Sequence, residues 1–318
     1  MQRIGVDVGG TKVEAILIDA NGGELARERV ATPKFDYAGT VEVIGAIVEH
    51  LDRIAGATCA VGAGTPGALE PSTGLMKNCN STWLNGKPLL ADLTRRLGNR
   101  VRIANDADCF ALSESVDGAG RAEPVVFGVI LGTGVGGGVV VDGRLLRGAN
   151  GIAGEWGHTP LPYFKAVQSA VSHQSTSMLA TLESRMVDRT CYCGRSNCVE
   201  TFLSGPGLAA THRELWGESK EAAAIAASSD SNCVGTIDLY CWQLARALSQ
   251  IVNIIDPNVI VLGGGVSAVP HLYPHVAELW RGYVFSDRVV TRLLRAVHGP
   301  TSGVRGAAWL WPADYNLD

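Results

Sequence analysis

Two segments of the chain share one layout, and that repetition limits the fold more than any other feature. RIGVDVGGTKVEAILIDANGGEL (residues 3–25) alternates apolar residues around a glycine turn and meets a second turn at DANGG. VVFGVILGTGVGGGVVVDGRLL (125–146) repeats the plan: apolar strand, glycine–threonine turn, apolar strand, DG, strand. Each reads as three strands joined by tight turns, so the pair indicates an internal duplication of one supersecondary unit. A helical pattern follows the first, with Val41, Ile44, Ile47, Val48, Leu51 and Ile54 at helical spacing. VRIAN then reads as a short strand leading into a helix over DADCFALSESV. A long helix is predicted from about Ile237 to Ile255, with Leu244, Leu248, Ile251 and Ile255 on one face. DPNVIVLGGGVS reads as turn, buried strand and glycine loop, and SGVRGAAWLW as a short terminal helix. Strands alternating with helices predict an α/β fold. Residues 163–190 are polar and irregular, and a surface excursion is expected there.

Composition narrows the function classes. The 318 residues are 46% hydrophobic and 18% charged, as in a soluble globular protein of one or two domains. A net charge of −4 without a basic stripe argues against a nucleic-acid partner. The most apolar stretch, IVNIIDPNVIVLGGGV, is broken by Asp256, Pro257 and glycines, so no membrane span is expected. No signal peptide is visible at MQRIGVDVGG, and the cytoplasm is the expected compartment. Cys59, Cys79, Cys109, Cys233 and Cys241 stand singly and read as buried small hydrophobes.

The glycine turns carry the first chemical signal. Glycine lets backbone N–H groups approach a phosphate without a Cβ in the way, and Thr11 and Thr133 add hydroxyl donors. Asp7, at the end of the first strand, could hold Mg²⁺ through water. Taken singly, either loop is as readily a hairpin turn. Two in matching contexts, with a third glycine loop at Gly263–Gly265, favour phosphate binding. Neither fits GxxxxGK[ST] or a strand-to-helix GxGxxG, so the P-loop and Rossmann readings fail. IANDAD (103–108) ends a strand and opens a helix, where the helix dipole keeps a carboxylate ionised. Asp106 could take a proton from an attacking hydroxyl there, although an isolated ND pair is more plainly an N-cap.

The stretch CYCGRSNCVE (191–200) places Cys191, Cys193 and Cys198 together, one ligand short of a tetrahedral metal site. GIAGEWGHTPL supplies His158, completing a Cys₃His set that suits structural zinc. A redox role is weaker, because no C-x-x-C is present. Bound zinc would leave the second nitrogen of His158 for a neighbour and gather Glu155, His158 and Glu200 around one polar pocket.

Together these motifs resemble the ROK sugar kinases. DVGGTK, NDAD, LGTGVGGG, GEWGH, the cysteine cluster ending in Glu200, and GGG followed by GVRGAAW fall in that family's order over nearly the whole chain. KNCNSTWLNGKPL, AGEWGHTPLP and VRGAAWLWP look particularly like the bacterial fructokinase (manno-fructokinase) branch. The resemblance implies a duplicated actin-like, ribonuclease-H-like α/β fold with ATP in a cleft between two domains, 1–120 and 121–299, the C-terminal helix at 300–318 packing back on the first. It implies ATP and Mg²⁺ as cofactors beside structural Zn²⁺, a hexose substrate and a homodimer. Asp106 would be the general base. Asn105, Glu155, His158 and Glu200 would hold sugar hydroxyls, with Gly64, Thr65, Pro66 and Gly67 as another wall. Asp7, Gly9, Gly10, Thr11, Lys12, Gly132, Thr133 and Gly134 would handle phosphates, and Gly263, Gly264 and Gly265 the adenosine side.

The implied reaction is phosphorylation of a hexose primary hydroxyl, with D-fructose O6 first and glucose, mannose or an N-acetylhexosamine as alternatives. A sugar-responsive repressor would carry a helix-turn-helix ahead of the phosphate loop, which here begins at residue 7. An ATPase without a sugar substrate would not need the zinc cluster. Three departures from the family pattern stand out: Asn197 where glycine is common, Asp108 where asparagine is frequent, and roughly thirty residues between His158 and Cys191.

Overall fold

The computed structural model describes residues 1–165 and 174–312. The chain divides into two compact units, one comprising residues 1–123, 138–154 and 296–318, the other 124–137 and 155–295.

The first unit opens with β1 (Arg3–Val8), β2 (Lys12–Ile18) and β3 (Glu24–Ala31), successive antiparallel strands joined at the predicted turns. Helix α1 (Tyr37–Ala55) is capped by Asp36, whose carboxylate accepts the Gly39 amide at 2.9 Å, and ends at Gly56 in the left-handed region (φ 67°). Its apolar stripe buries Val41, Ile44, Ile47, Val48 and Leu51. Ile54, assigned to that stripe from its spacing, is half exposed in the last turn of the helix. The chain continues through β4 (Ala60–Thr65), the short hairpin β5 (Ala68–Leu69) and β6 (Met76–Lys77), α2 (Leu89–Leu97), β7 (Val101–Asn105) and α3 (Asp106–Val116). The sheet order is β3-β2-β1-β4-β7, with β4 parallel to β1 and β7 parallel to β4.

The same arrangement recurs. Strands β8 (Val125–Leu131), β9 (Val135–Val141), β10 (Arg144–Leu145), β11 (Val259–Gly263) and β12 (Arg292–Arg295) form a sheet of order β10-β9-β8-β11-β12. There, β11 is parallel to β8 and β12 to β11, and the chain passes between units within β9. Three meandering strands followed by two parallel ones, twice over, is the duplicated actin-like α/β fold.

Helices α4 (Gln174–Ser184), α5 (Val199–Leu203), α6 (Gly205–Trp216), α7 (Ala222–Ala227), α8 (Ser231–Ile255) and α9 (Leu272–Leu279) belong to the second unit. Helix α8 begins earlier than its apolar spacing suggested, because Asp230 caps it by accepting the Asn232 and Cys233 amides. The excursion expected over 163–190 is corrected in part: α4 lies there, with Leu179, Leu182 and Glu183 buried, while residues 166–173 lie outside the described residues. Glu183 forms an ion pair with Arg246 on α8, and Gln243 donates to it at 3.0 Å. A polar-looking segment thus docks through a buried charge pair as well as through Leu179 and Leu182.

The terminal helix α10 (Ser302–Ala308) packs on β1, β4 and α3 within the first unit. Backbone lies directly on backbone there: a Cβ at Gly62 would stand 1.7 Å from the Ala307 carbonyl oxygen, and one at Gly306 1.6 Å from that of Cys109. Buried Glu114 fastens the segment by accepting from Ser302 Oγ at 2.9 Å and from the Val297 and His298 amides. Residues 313–318 of the expected C-terminal helix lie outside the described residues.

Candidate active site

A cavity of about 530 Å³ in the first unit is lined by Asp7, Gly9, Gly10 and Thr11 from the β1–β2 turn, Pro66 after β4, and Asp106 at the start of α3. Parallel strands β1, β4 and β7 end side by side, so three separated sequence motifs meet there. Lys34, Phe35 and the run Asn80–Trp83 complete the lining. No spacing rule singled those residues out; the only sequence signal was the resemblance around KNCNSTWLNGKPL.

Asp106 is the first residue of α3 and is exposed. The N-cap is Asn105, whose side-chain oxygen accepts the Ala107 amide at 2.8 Å. Asp106 Oδ1 accepts the same amide at 2.8 Å, so both side chains close the helix start, with Asp106 exposed at its positive end. Asp7 is partly buried, and that burial, with Glu14 nearby, pushes its pKa up to about 6 against the pull of Lys12.

Two residues expected in this site are engaged elsewhere. The Thr65 hydroxyl is buried and bonded to the carbonyls of Gly67 (2.9 Å) and Ala104 (3.2 Å), so it braces the turn. Gly64 is buried too, and a Cβ at Gly67 would stand 2.4 Å from the Lys77 carbonyl oxygen. Lys12 does not line the cavity; its ammonium meets Glu14 at 2.7 Å. The Gly9 amide closes its own turn onto the Lys12 carbonyl at 3.0 Å, which leaves the Thr11 hydroxyl and later amides as the turn's outward donors.

In the second unit, the other glycine turn closes one residue sooner, the Gly132 amide donating to the Gly134 carbonyl at 3.0 Å. Thr133 is exposed at its tip. Gly205 N–H donates to the Gly132 carbonyl at 2.8 Å, and Glu200 accepts the Val135 amide at 2.9 Å. The loop Gly263–Gly265 leaves β11, whose last residue pairs with Ile130. Gly264 has φ 83°, and a Cβ there would stand 2.4 Å from the Leu131 carbonyl oxygen, so only glycine fits beside the turn.

One donor atom from each of His158, Cys191, Cys193 and Cys198 lies within 4.8 Å of the others. His158 Nδ1 is 3.6 Å from Cys191 Sγ, and Cys193 Sγ is 3.6 Å from Cys198 Sγ. Gly194 (φ 85°) lets the 191–195 turn close, Cys191 N–H donating to the Arg195 carbonyl at 2.8 Å. Asn197 takes the left-handed backbone at φ 57°, which asparagine tolerates better than most residues. Burial holds the Cys191 and Cys198 thiols above their ordinary range, while the Arg195 amide holds Cys193 below it. Three sulfurs and an imidazole nitrogen at such distances could hold a metal ion, which would draw the thiols to thiolates, and the donor set fits tetrahedral zinc.

Cys198 caps α5, whose first turn carries Glu200, so the cysteine turn and Glu200 are mechanically joined. Burial raises the pKa of Glu155; His158 opposes that and Glu200 adds to it. His158 Nε2 meets the Tyr192 hydroxyl at 2.9 Å. Its second nitrogen is thus directed at a tyrosine that sequence reasoning passed over, rather than at an open position. Glu200 and Glu155, after burial itself, push the Tyr192 hydroxyl up to about 12, which sets all four side chains in one polar neighbourhood.

The ROK family profile matches residues 3–314. This chain belongs to the ROK family. It is 36% identical over 312 residues to an N-acetyl-D-glucosamine kinase of Pasteurella multocida, covering 97% of this chain and 99% of that one. Among solved structures, a ROK hexokinase from Thermus thermophilus matches with TM-score 0.80 and 28% identity over 97% of each chain. A ROK family glucokinase from Streptomyces griseus, in complex with glucose and AMPPNP, matches with TM-score 0.73 and 27% identity, covering 98% of this chain and 99% of that one. No helix among the described residues is long and apolar enough to cross a membrane.

Proposed function

We propose that this chain is an ATP-dependent hexose kinase whose substrate is N-acetyl-D-glucosamine. The observation that carries the reaction type is the meeting of Asp106 with the Asp7–Thr11 glycine turn around one cavity. A carboxylate at a helix start and a phosphate-type turn in one chamber supply a base and an anion cradle together. Similarity over almost the full length to N-acetyl-D-glucosamine kinases supports that sugar over fructose, which rests on short motifs alone.

In the proposed mechanism the sugar's primary hydroxyl attacks the γ-phosphorus in line. The new O–P bond forms as the β–γ bridge bond breaks, and Asp106 takes the hydroxyl proton. Base catalysis of this kind contributes roughly 10²–10⁴-fold. Bound Mg²⁺ would neutralise phosphate charge, and Asp7 is the carboxylate placed to hold it, most directly through water. Thr11, Thr133 and the turn amides would face phosphate oxygens. Glu155 and Glu200 would orient sugar hydroxyls, and zinc on His158, Cys191, Cys193 and Cys198 would fix the segment that carries Glu200. A homodimer is the assembly that accompanies this reading.

The test is kcat/KM for ATP-dependent phosphorylation of N-acetyl-D-glucosamine, N-acetyl-D-mannosamine, glucose, mannose and fructose. A clear preference for N-acetyl-D-glucosamine is expected. Preference for fructose would overturn the sugar while keeping the chemistry, and no turnover with any sugar would overturn both.

A further inference from the structure

Three metal-ligating side chains converge in the second unit on residues that the proposed kinase chemistry does not use. Asp238 lies on α8, His271 immediately precedes α9 with helical backbone (φ −60°, ψ −26°), and His275 stands one turn further on. The His275 amide contacts the His271 carbonyl at 3.4 Å, so the turn is helical and the four-residue spacing puts both imidazoles on one face. The rings stack with centroids 4.8 Å apart and 25° between planes. His271 Nε2 is 3.5 Å from Asp238 Oδ1, and one donor atom from each of the three residues lies within 4.8 Å of the others. Helical spacing accounts for the stacked rings, and the His271–Asp238 contact is an ion pair only when His271 is protonated; neither by itself gathers all three donor atoms within 4.8 Å of one another.

We propose that Asp238, His271 and His275 bind a divalent transition-metal ion of the zinc, nickel or copper class, clamping α9 to α8. Two imidazoles with one carboxylate select these ions over Mg²⁺ or Ca²⁺, which prefer all-oxygen shells. Ligand bonds of about 2.0–2.2 Å set tetrahedral donors about 3.3–3.6 Å apart, so the widest pair must close by about an ångström, a movement that side-chain rotation supplies. Both helices are packed elements, so the ligands start from fixed positions. His271 and Asp238 side chains are 55% and 35% exposed, leaving the remaining coordination positions to water or an outside ligand.

The experiment is Co²⁺ titration of the untagged, full-length protein with bound metal counted per chain. Cobalt on imidazole and carboxylate gives weak visible absorption, whereas cobalt on the cysteine cluster adds an intense thiolate charge-transfer band. The double variant His271→Ala/His275→Ala is expected to bind one ion fewer and keep the thiolate band. Asp238→Asn, which retains side-chain volume, is expected to weaken that ion by at least the roughly 10–100-fold that loss of an outer partner costs a metal site. Equal ion counts and equal non-thiolate absorption in the parent and the double variant would overturn the proposal. So would a parent protein that binds cobalt through its cysteines alone.

Discussion

Glu200 and Val135 are joined by a hydrogen bond in which the carboxylate accepts the backbone amide at 2.9 Å. Glu200 also crowds Gly134, where a Cβ would stand 2.6 Å from Oε2. A residue assigned to the sugar by resemblance therefore also braces the second glycine turn. A hydrogen bond to a charged group contributes about 1.5–3 kcal/mol, which corresponds to roughly 10–100-fold in an equilibrium constant. Glu200→Ala is expected to raise KM for ATP on that scale at saturating sugar, and Glu200→Gln by less. A change confined to the sugar's KM would remove the bracing role.

Asp106→Asn should lower kcat by about 10²–10⁴ while leaving the melting temperature nearly unchanged, since Asp106 is exposed and Asn105 supplies the cap. Asn105→Ala should instead lower stability, by up to about 1 kcal/mol and by less where Asp106 Oδ1 keeps the Ala107 amide. Thermal melts and steady-state kinetics on the two variants separate the roles. Near-normal kcat in Asp106→Asn would dismiss it as the base.

The duplication was legible because it is local: each turn is written in closely spaced glycines between apolar strands, whereas the order of the strands in each sheet came only from the fold. Helix α3 and its cap were legible for the same reason. The docking of α4 was not, since Glu183 reads as a surface residue until Arg246, 63 positions away, is seen against it. Thr65 and Lys12 looked like ligand contacts because of the motifs they stand in, and only the fold revealed Ala104 and Glu14 as their partners. Asn80–Trp83 entered the cavity wall through a loop whose path no periodicity describes. What escaped the sequence is pairing between distant polar groups, which leaves no pattern along the chain.

Cys193 is exposed, so its sulfur contributes little packing. Cys193→Ser should therefore destabilise the protein chiefly by releasing zinc. Bound zinc per chain from the cysteine cluster should fall by one, with a drop in melting temperature that excess zinc does not restore. A chelator should lower the parent's melting temperature to that of the variant. A variant that keeps its zinc, or loses it with no change in stability, would contradict a structural role.

Glu14 predicts a specific acid sensitivity. Burial pushes its pKa up, but hydrogen bonds from Lys12, Arg29 and Arg27 outweigh that and hold it down to about 2 from an ordinary 4.5. A depressed folded-state value means the contribution is fully present above about pH 4.5 and is lost as pH falls toward 2. Its size is on the order of 1–3 kcal/mol, trimmed by solvent around Lys12 and Arg29. Denaturant unfolding between pH 6 and about 3 should show the parent losing stability faster than Glu14→Gln. Parallel pH profiles would exclude the linkage.

The Glu183–Arg246 pair gives the sharpest stability test, because both side chains are almost fully buried. Arg246 also lies over the Trp242 ring at 3.8 Å and donates to the Tyr163 carbonyl at 3.1 Å, so removing its counter-ion strands a charge that packing prevents from leaving. Glu183→Ala should cost about 3–5 kcal/mol, the usual penalty for breaking a buried pair from one side. Replacing both partners with apolar residues of similar size, Glu183→Leu with Arg246→Met, should cost less than the single change despite altering more atoms. Urea unfolding of the three proteins measures this directly. If the double variant were the less stable, the pair would be contributing net stability rather than fixing where α4 docks on α8.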